Sequence, residues 1–340
     1  MKILELGAAL VAASLVLAGP AGAVDIKGAG ATFPAPLYKS WIEAYNAVEP
    51  GVSISYDAIG SGGGIKRFID QQVDFGASDA AMTDAQIAAV EQGAVLVPAT
   101  AGMVVIAYNM PDMEAQLRLS RSTLTRIFLG EITRWDDPRI EADNPGVDLP
   151  NRSIAVVVRR DSSGTTFAIS NHLAAVDSGW ESVGPGVGTT LDWPGAAMTA
   201  VGNDGVAGRL AISQYSLGYV EYGYARRAGL SMAILQNRDG QFVAPDEASG
   251  AAALDAAVGQ MPANGRQFIP DPLGAQSYPI VTYSWLLLYG TYAETAMKDA
   301  LAGFITWGLD QGQTQAEGLG YIPLPPSVVA KSKALLAEVQ

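Results

Sequence analysis

"AVLVPATAGMVVIAYN", residues 94–109, is a long run of strand-forming apolar residues without a single charge. A second apolar strand candidate, "PIVTYSWLLLY", stands at 279–289. The two bracket the middle of the chain. Strands of this kind can carry a chain from one domain to another and back. One domain is then built from both ends of the sequence, residues 24–99 and 280–340, and a second from residues 100–279.

Further strand candidates are "VSISYDAIG" (52–60), "VDFGASD" (73–79), "IAVVVRR" (154–160) and "LGYVEY" (217–222). Helical spacing lies between them. Leu37, Trp41, Tyr45 and Val48 fall on one face, as do Ile65, Phe68 and Ile69, and then Met297, Leu301, Phe304, Ile305 and Leu309. Strands alternating with helices predict an α/β protein with largely parallel sheets.

The chain has 340 residues, enough for one large domain or two ordinary ones, and 49% of them are hydrophobic. "MKILELGAALVAASLVLAGPAGA" (1–23) reads as an export signal: one lysine, an apolar stretch, then "AGA" before Val24. Cleavage is expected near Ala23, and no later segment reads as a membrane span. There is no cysteine, so neither a disulfide framework nor a lipidated cysteine is available. The formal net charge is −13, which argues against nucleic acid as a partner. An anion would have to be held by local dipoles and very few cations.

Four stretches carry chemistry. In "GAGATFPAPLY" (28–38), Thr32 and the prolines mark a helix start, where free N–H groups can face an anion. In "IGSGGGIKRF" (59–68), a glycine-rich loop opens a helix, with Ser61 predicted as its cap; the Walker spacing is absent. In "RRDSSGTTF" (159–167), a cation, an acid and four hydroxyls surround a glycine at a helix entry. Each of the three is also what an ordinary capped helix looks like. The fourth, "VDFGASDAAM" (73–82), ends a strand on Asp79, a carboxylate where the others are suited to an anion.

Taken together, "GAGATFPAPLY", "IGSGGG", "DFGASDA" and "R-x-D-x-SGT" resemble, in order, the phosphate-contacting segments of the periplasmic phosphate-binding proteins that serve ABC transporters, the PstS family. "IFLGEITRWDDPRI" (127–140), "GNDGVAG" (202–208), "LGYVEYGYA" (217–225) and "YIPLP" (321–325) are similar to the same family. The resemblance implies a fold of the type II periplasmic binding protein kind: two α/β domains with mixed, largely parallel sheets and a ligand cleft at a two-strand hinge. It implies inorganic phosphate as ligand, the transmembrane subunits of an ABC permease as partner, a periplasmic location and a monomer. By the same resemblance, Thr32 and Phe33 supply N–H groups, and the Thr32 hydroxyl a further contact. Ser61 supplies a hydroxyl and a backbone donor, and Asp79 accepts a hydrogen bond from the ligand. Arg159, held by Asp161, is the ionic contact, and Ser163, Gly164 and Thr165 close the other side. Ser162 stands where the family usually has glycine, and would be strained if that position needs a positive φ.

A hydrolase is the rival class, and phosphate capture or sensing without transport is another. The single histidine, His172, is predicted on a helix surface, and there is no Gly-x-Ser-x-Gly elbow. No catalytic residue, cofactor or metal is expected.

Overall fold

The computed structural model describes residues 23–111 and 113–340. Residues 1–22 of the expected export signal lie outside them, and Ala23 is the first residue described. The strands that matter are β1 (Val24–Gly30), β2 (Val52–Ala58), β3 (Phe75–Ser78), β4 (Ala94–Asn109), β5 (Ala155–Arg159), β6 (Met198–Ala200), β7 (Ser216–Glu221), β8 (Ser231–Met232) and β9 (Val281–Tyr289). The helices are α1 (Ala35–Val48), α2 (Ser61–Ile69), α3 (Gly164–Val176), α4 (Gly202–Ile212), α5 (Tyr222–Arg227) and α6 (Thr295–Asp310).

The strands form a nine-stranded sheet in the order β2-β1-β3-β9-β4-β7-β5-β6, with β8 also beside β4. The long strand β4 belongs to both halves. Its first part, Ala94 to Met103, pairs with β9, and Val104 to Asn109 pair with β7. One lobe is thus built on β1, β2, β3 and β9, the other on β5, β6 and β7. The outer ladders, where a helix intervenes, are parallel; those made by β4 and β9 are antiparallel.

β4 and β9 are almost wholly buried, as strands covered on both faces must be. Pro98 within β4 has no N–H to give, and the register shifts opposite it, between Ser284 and Trp285. β1 is missing from the strands predicted above. Its alternation, Val24 and Ile26 against Asp25 and Lys27, yields to small residues. They are small because a Cβ on Gly28 would lie 2.0 Å from the Phe75 ring.

Helices pack on the sheet through most of the faces their spacing predicts: Leu37, Trp41 and Tyr45 of α1, Ile65 and Phe68 of α2, and Leu301, Phe304, Ile305 and Leu309 of α6 are buried, whereas Val48 at the end of α1 is exposed and Ile69 and Met297 are half-buried. Within α2 the third glycine of the loop is what permits the packing. A Cβ on Gly64 would lie 2.4 Å from the Gly30 Cα.

Candidate functional site

Three helix entries meet where the lobes face each other. Thr32 and Phe33 lead into α1, Ser61 opens α2 and Ser163 caps α3. Among the described residues, the backbone N–H groups of Thr32, Phe33, Ser61 and Thr165 donate to no protein acceptor. All four residues are buried. Buried N–H groups at helix starts, with the positive end of each dipole behind them, form an environment that favours negative charge.

Ser61 is the first residue of α2 and not its cap, correcting the sequence expectation: Gly60 holds that position at φ +91°. The Ser61 hydroxyl is drawn across the cleft instead. It accepts from the N–H of Asp79 (3.1 Å) and from the N–H of Gly164 (3.0 Å) in the opposite lobe. Thr32 likewise does not cap α1, whose N-cap is Pro34 without a side-chain bond.

Asp79 follows β3 and is buried among these donors. Its Oδ1 accepts from the Ser284 hydroxyl at 2.7 Å, and its Oδ2 lies 3.4 Å from the Ser61 hydroxyl. Burial pushes its pKa up to about 7, against the opposing pull of Ser284, the Arg159 charge and Ser61.

Arg159 ends β5 and is buried, whereas Arg160 is exposed. Nε of Arg159 donates to Oδ1 of Asp161 at 2.8 Å, and Nη2 closes a fork on Oδ2. Burial raises the Asp161 pKa, but this fork and the Gly202 N–H outweigh it and hold the carboxyl below its ordinary value. The remaining Nη1 reaches the Thr165 hydroxyl at 3.4 Å. Ser163 caps α3 by accepting from the Thr166 N–H.

The lobes are closed on one another. The Gly62 N–H donates to the Ser162 carbonyl (3.1 Å), and the Tyr224 hydroxyl of α5 donates to the Thr32 carbonyl (2.7 Å). Two glycines make the approach possible. A Cβ on Gly62 would meet the Ser162 side chain at 1.9 Å, and one on Gly164 would meet the Asp79 Cβ and the Ser61 hydroxyl at 2.5 Å. The loop glycines thus admit the opposite lobe and a neighbouring strand, a use that the anion-cradle reading of the sequence did not include.

A family model described as a PBP superfamily domain matches residues 17–311. The phosphate-binding protein PstS of Pasteurella multocida is 39% identical over 313 residues, covering 92% of this chain and 90% of that protein. That of Haemophilus influenzae is 39% identical over 317 residues, 92% of this chain and 93% of that one. The chain belongs to the PstS family of the PBP superfamily. The archaeal PstS of Methanocaldococcus jannaschii is 34% identical, with 90% of this chain and 84% of that protein covered. The fold is shared with a solved high affinity periplasmic phosphate-binding protein (PfluDING) bound with phosphate: TM-score 0.76, 23% identity, 92% and 93% covered. A phosphate-binding protein from Stenotrophomonas maltophilia gives TM-score 0.73 at 20% identity, with 92% and 93% covered.

Within this PstS fold the structure brings together every residue predicted for the site, and adds three. Asn203, at the start of α4, donates from Nδ2 to the hydroxyls of Thr32 (3.0 Å) and Thr165 (3.2 Å). Ser284 of β9 holds Asp79. The Tyr38 hydroxyl of α1 is buried without a hydrogen-bond partner; burial raises its pKa far above the tyrosine range, with nearby Ser284 opposing and the Asp79 charge reinforcing the rise. Asn203 sits in "GNDGVAG", a motif noticed for its likeness alone. Nothing in "PIVTYSWLLLY" sets Ser284 apart from its apolar neighbours.

A further expectation changes, and a conditional one is resolved. His172 is buried and not on a helix surface: its Nδ1 lies 2.7 Å from the Pro270 carbonyl, and burial lowers its pKa to about 4. Ser162 is absent from the residues with positive φ, so serine is unstrained where the family has glycine. Among the described residues no cluster of His, Cys, Asp or Glu could hold a metal, and no helix is long and apolar enough to cross a membrane.

Proposed function

We propose that this chain binds inorganic phosphate between its lobes and delivers it to the transmembrane subunits of an ABC-type importer. The curated relatives, named phosphate-binding proteins, support the ligand. The observation that carries the reading is the position of Asp79, a buried carboxyl among unpaired N–H donors and the Arg159 charge. A site of donors alone would take any oxyanion. Phosphate near neutral pH carries at least one O–H, which an ionised Asp79 accepts; sulfate carries none. Two unit charges at about 4 Å repel by ~4 kcal/mol at an effective dielectric near 20. A site built around one polar pairing rejects an analogue lacking it by ~10⁴ or more.

Thr32, Phe33, Ser61 and Asp79 contribute from one lobe, and Arg159, Ser163, Gly164 and Thr165 from the other, with Asp161 supporting Arg159. The lobes are residues 24–99 with 280–340, and 100–279, hinged where the chain crosses along β4 and returns into β9. The protein acts in the periplasm as a monomer after loss of residues 1–23. Binding, not turnover, is its activity: the Ser163 hydroxyl serves as the α3 cap and His172 is engaged with Pro270. Calorimetric titration of the purified mature chain with phosphate and with sulfate tests the ligand. Release of product from phosphate esters in proportion to pure protein would show an enzyme instead.

A further inference from the structure

Asn203 joins the two lobes at the site. Its carboxamide is oriented by the Glu221 N–H, which donates to Oδ1 at 2.9 Å and leaves Nδ2 with two hydrogens to give. One goes to the Thr32 hydroxyl and the other to the Thr165 hydroxyl. The Asn203 backbone N–H adds a second bond to the Thr32 hydroxyl at 3.2 Å. Thr32 thereby satisfies an N–H near the start of α4, a helix whose own N-cap, Val201, has no side-chain bond to offer.

A threonine hydroxyl has two lone pairs and one proton. Thr32 Oγ1 accepts twice, both times from Asn203. Thr165 Oγ1 also accepts twice, from Asn203 and from Nη1 of Arg159. With their lone pairs occupied, both hydroxyls have only their protons left to offer. We propose that Asn203 is a positioning residue for anion binding: it turns the Thr32 and Thr165 hydroxyls into donors toward the ligand and latches the closed lobes through Thr32. The proposal rests on the phosphate-binding reading above. Thr32 stands before the chain crosses along β4, and Asn203, Thr165 and Glu221 stand after it. The bonds to Thr32 therefore form on closure and break on opening, which places their effect on ligand escape.

The test is dissociation of radiolabelled phosphate chased with unlabelled phosphate, with the association rate obtained from the equilibrium constant. Asn203→Ala is expected to speed dissociation by about tenfold or more and to leave association within about threefold. In a Thr32→Val background the same change should speed dissociation clearly less than it does in the wild type, because the bonds to Thr32 are already gone and only the one to Thr165 remains to be lost. Where Asn203→Ala does not fold, Asn203→Asp keeps the acceptor for the Glu221 N–H. Its carboxylate accepts from the Thr32 and Thr165 hydroxyls in place of donating to them, which turns their protons away from the ligand, so dissociation should again speed up, and by less in the Thr32→Val background. Slower association with unchanged dissociation, or equal effects in both backgrounds, would overturn the role of Asn203. Absence of phosphate binding by the wild type would overturn the functional reading along with it.

Discussion

Ser284 stands beside Asp79 because β9 runs antiparallel to β3. Trp285 pairs with Ser78, so the next residues along, Ser284 and Asp79, are neighbours just past the end of the ladder. The register shift opposite Pro98 falls at this step, between Ser284 and Trp285. The Ser284 hydroxyl donates to Oδ1 at 2.7 Å, leaving Oδ2, with Ser61 at 3.4 Å, as the less occupied oxygen.

Ser284→Ala removes the 2.7 Å hydrogen bond that helps to hold the buried Asp79 carboxyl ionised. The Asp79 pKa should then rise above its wild-type value, and phosphate binding at neutral pH should weaken by about tenfold, as for loss of one charge-assisted hydrogen bond. Calorimetry across a pH series checks both. An unchanged affinity at every pH would mean that Ser284 does not hold Asp79.

Asp79 should destabilise the ligand-free fold at neutral and alkaline pH. A carboxyl whose pKa rises on folding binds its proton more tightly in the folded state than in the unfolded one. Its contribution is neutral below the unfolded value near pH ~4 and becomes unfavourable as pH rises toward about 7. Asp79→Asn should therefore match the wild type at about pH 4 and exceed it at about pH 8, by on the order of 2–4 kcal/mol at ~1.4 kcal/mol per unit. Glu221, pushed by burial up to about 8, adds pH dependence of the same sign to both proteins. The difference between their denaturant midpoints reports Asp79 together with its charge coupling to Glu221.

Arg159→Ala should weaken phosphate binding by ~2–5 kcal/mol, because it removes a buried charge and strands its partner Asp161. Arg160→Ala, at an exposed site, should change it by less than ~0.5 kcal/mol. Titration calorimetry distinguishes them, and equal losses would sink the assignment.

Gly164→Ala should block closure while leaving each lobe folded. The added Cβ would sit 2.5 Å from the Asp79 Cβ and the Ser61 hydroxyl across the cleft. Wild-type protein stripped of phosphate should compact when the ligand is restored, by small-angle scattering, and the variant should not. Tight binding by the variant would show that the lobes can close without this contact.

Much of this was legible in the sequence because it depends on runs of residues. The 94–109 strand matches β4 end for end, and the helix-start signals mark the entries that meet at the site. Asn203 and Ser284 were not legible as site residues for a different reason. Each reaches the site through a partner far away in the chain: Thr32 is 171 residues from Asn203, and Asp79 is 205 residues from Ser284. His172 was misplaced because a lone histidine with small neighbours in "AISNHLAAV" shows nothing of the Pro270 carbonyl that covers it. The glycines of "IGSGGG" announce a close approach, but only the fold shows that Gly62 meets Ser162 and Gly64 meets Gly30.

The most direct measurement is calorimetric titration of wild type and Asp79→Asn with phosphate and with sulfate at about pH 8, where the wild-type carboxyl is largely ionised. The wild type should bind phosphate and give no binding heat with millimolar sulfate. Asp79→Asn, whose amide can donate to an oxyanion, should narrow the phosphate-to-sulfate ratio by at least about tenfold. A folded Asp79→Asn with the wild-type ratio would contradict proton reading by Asp79, and a wild type that takes sulfate as readily as phosphate would contradict phosphate selectivity itself.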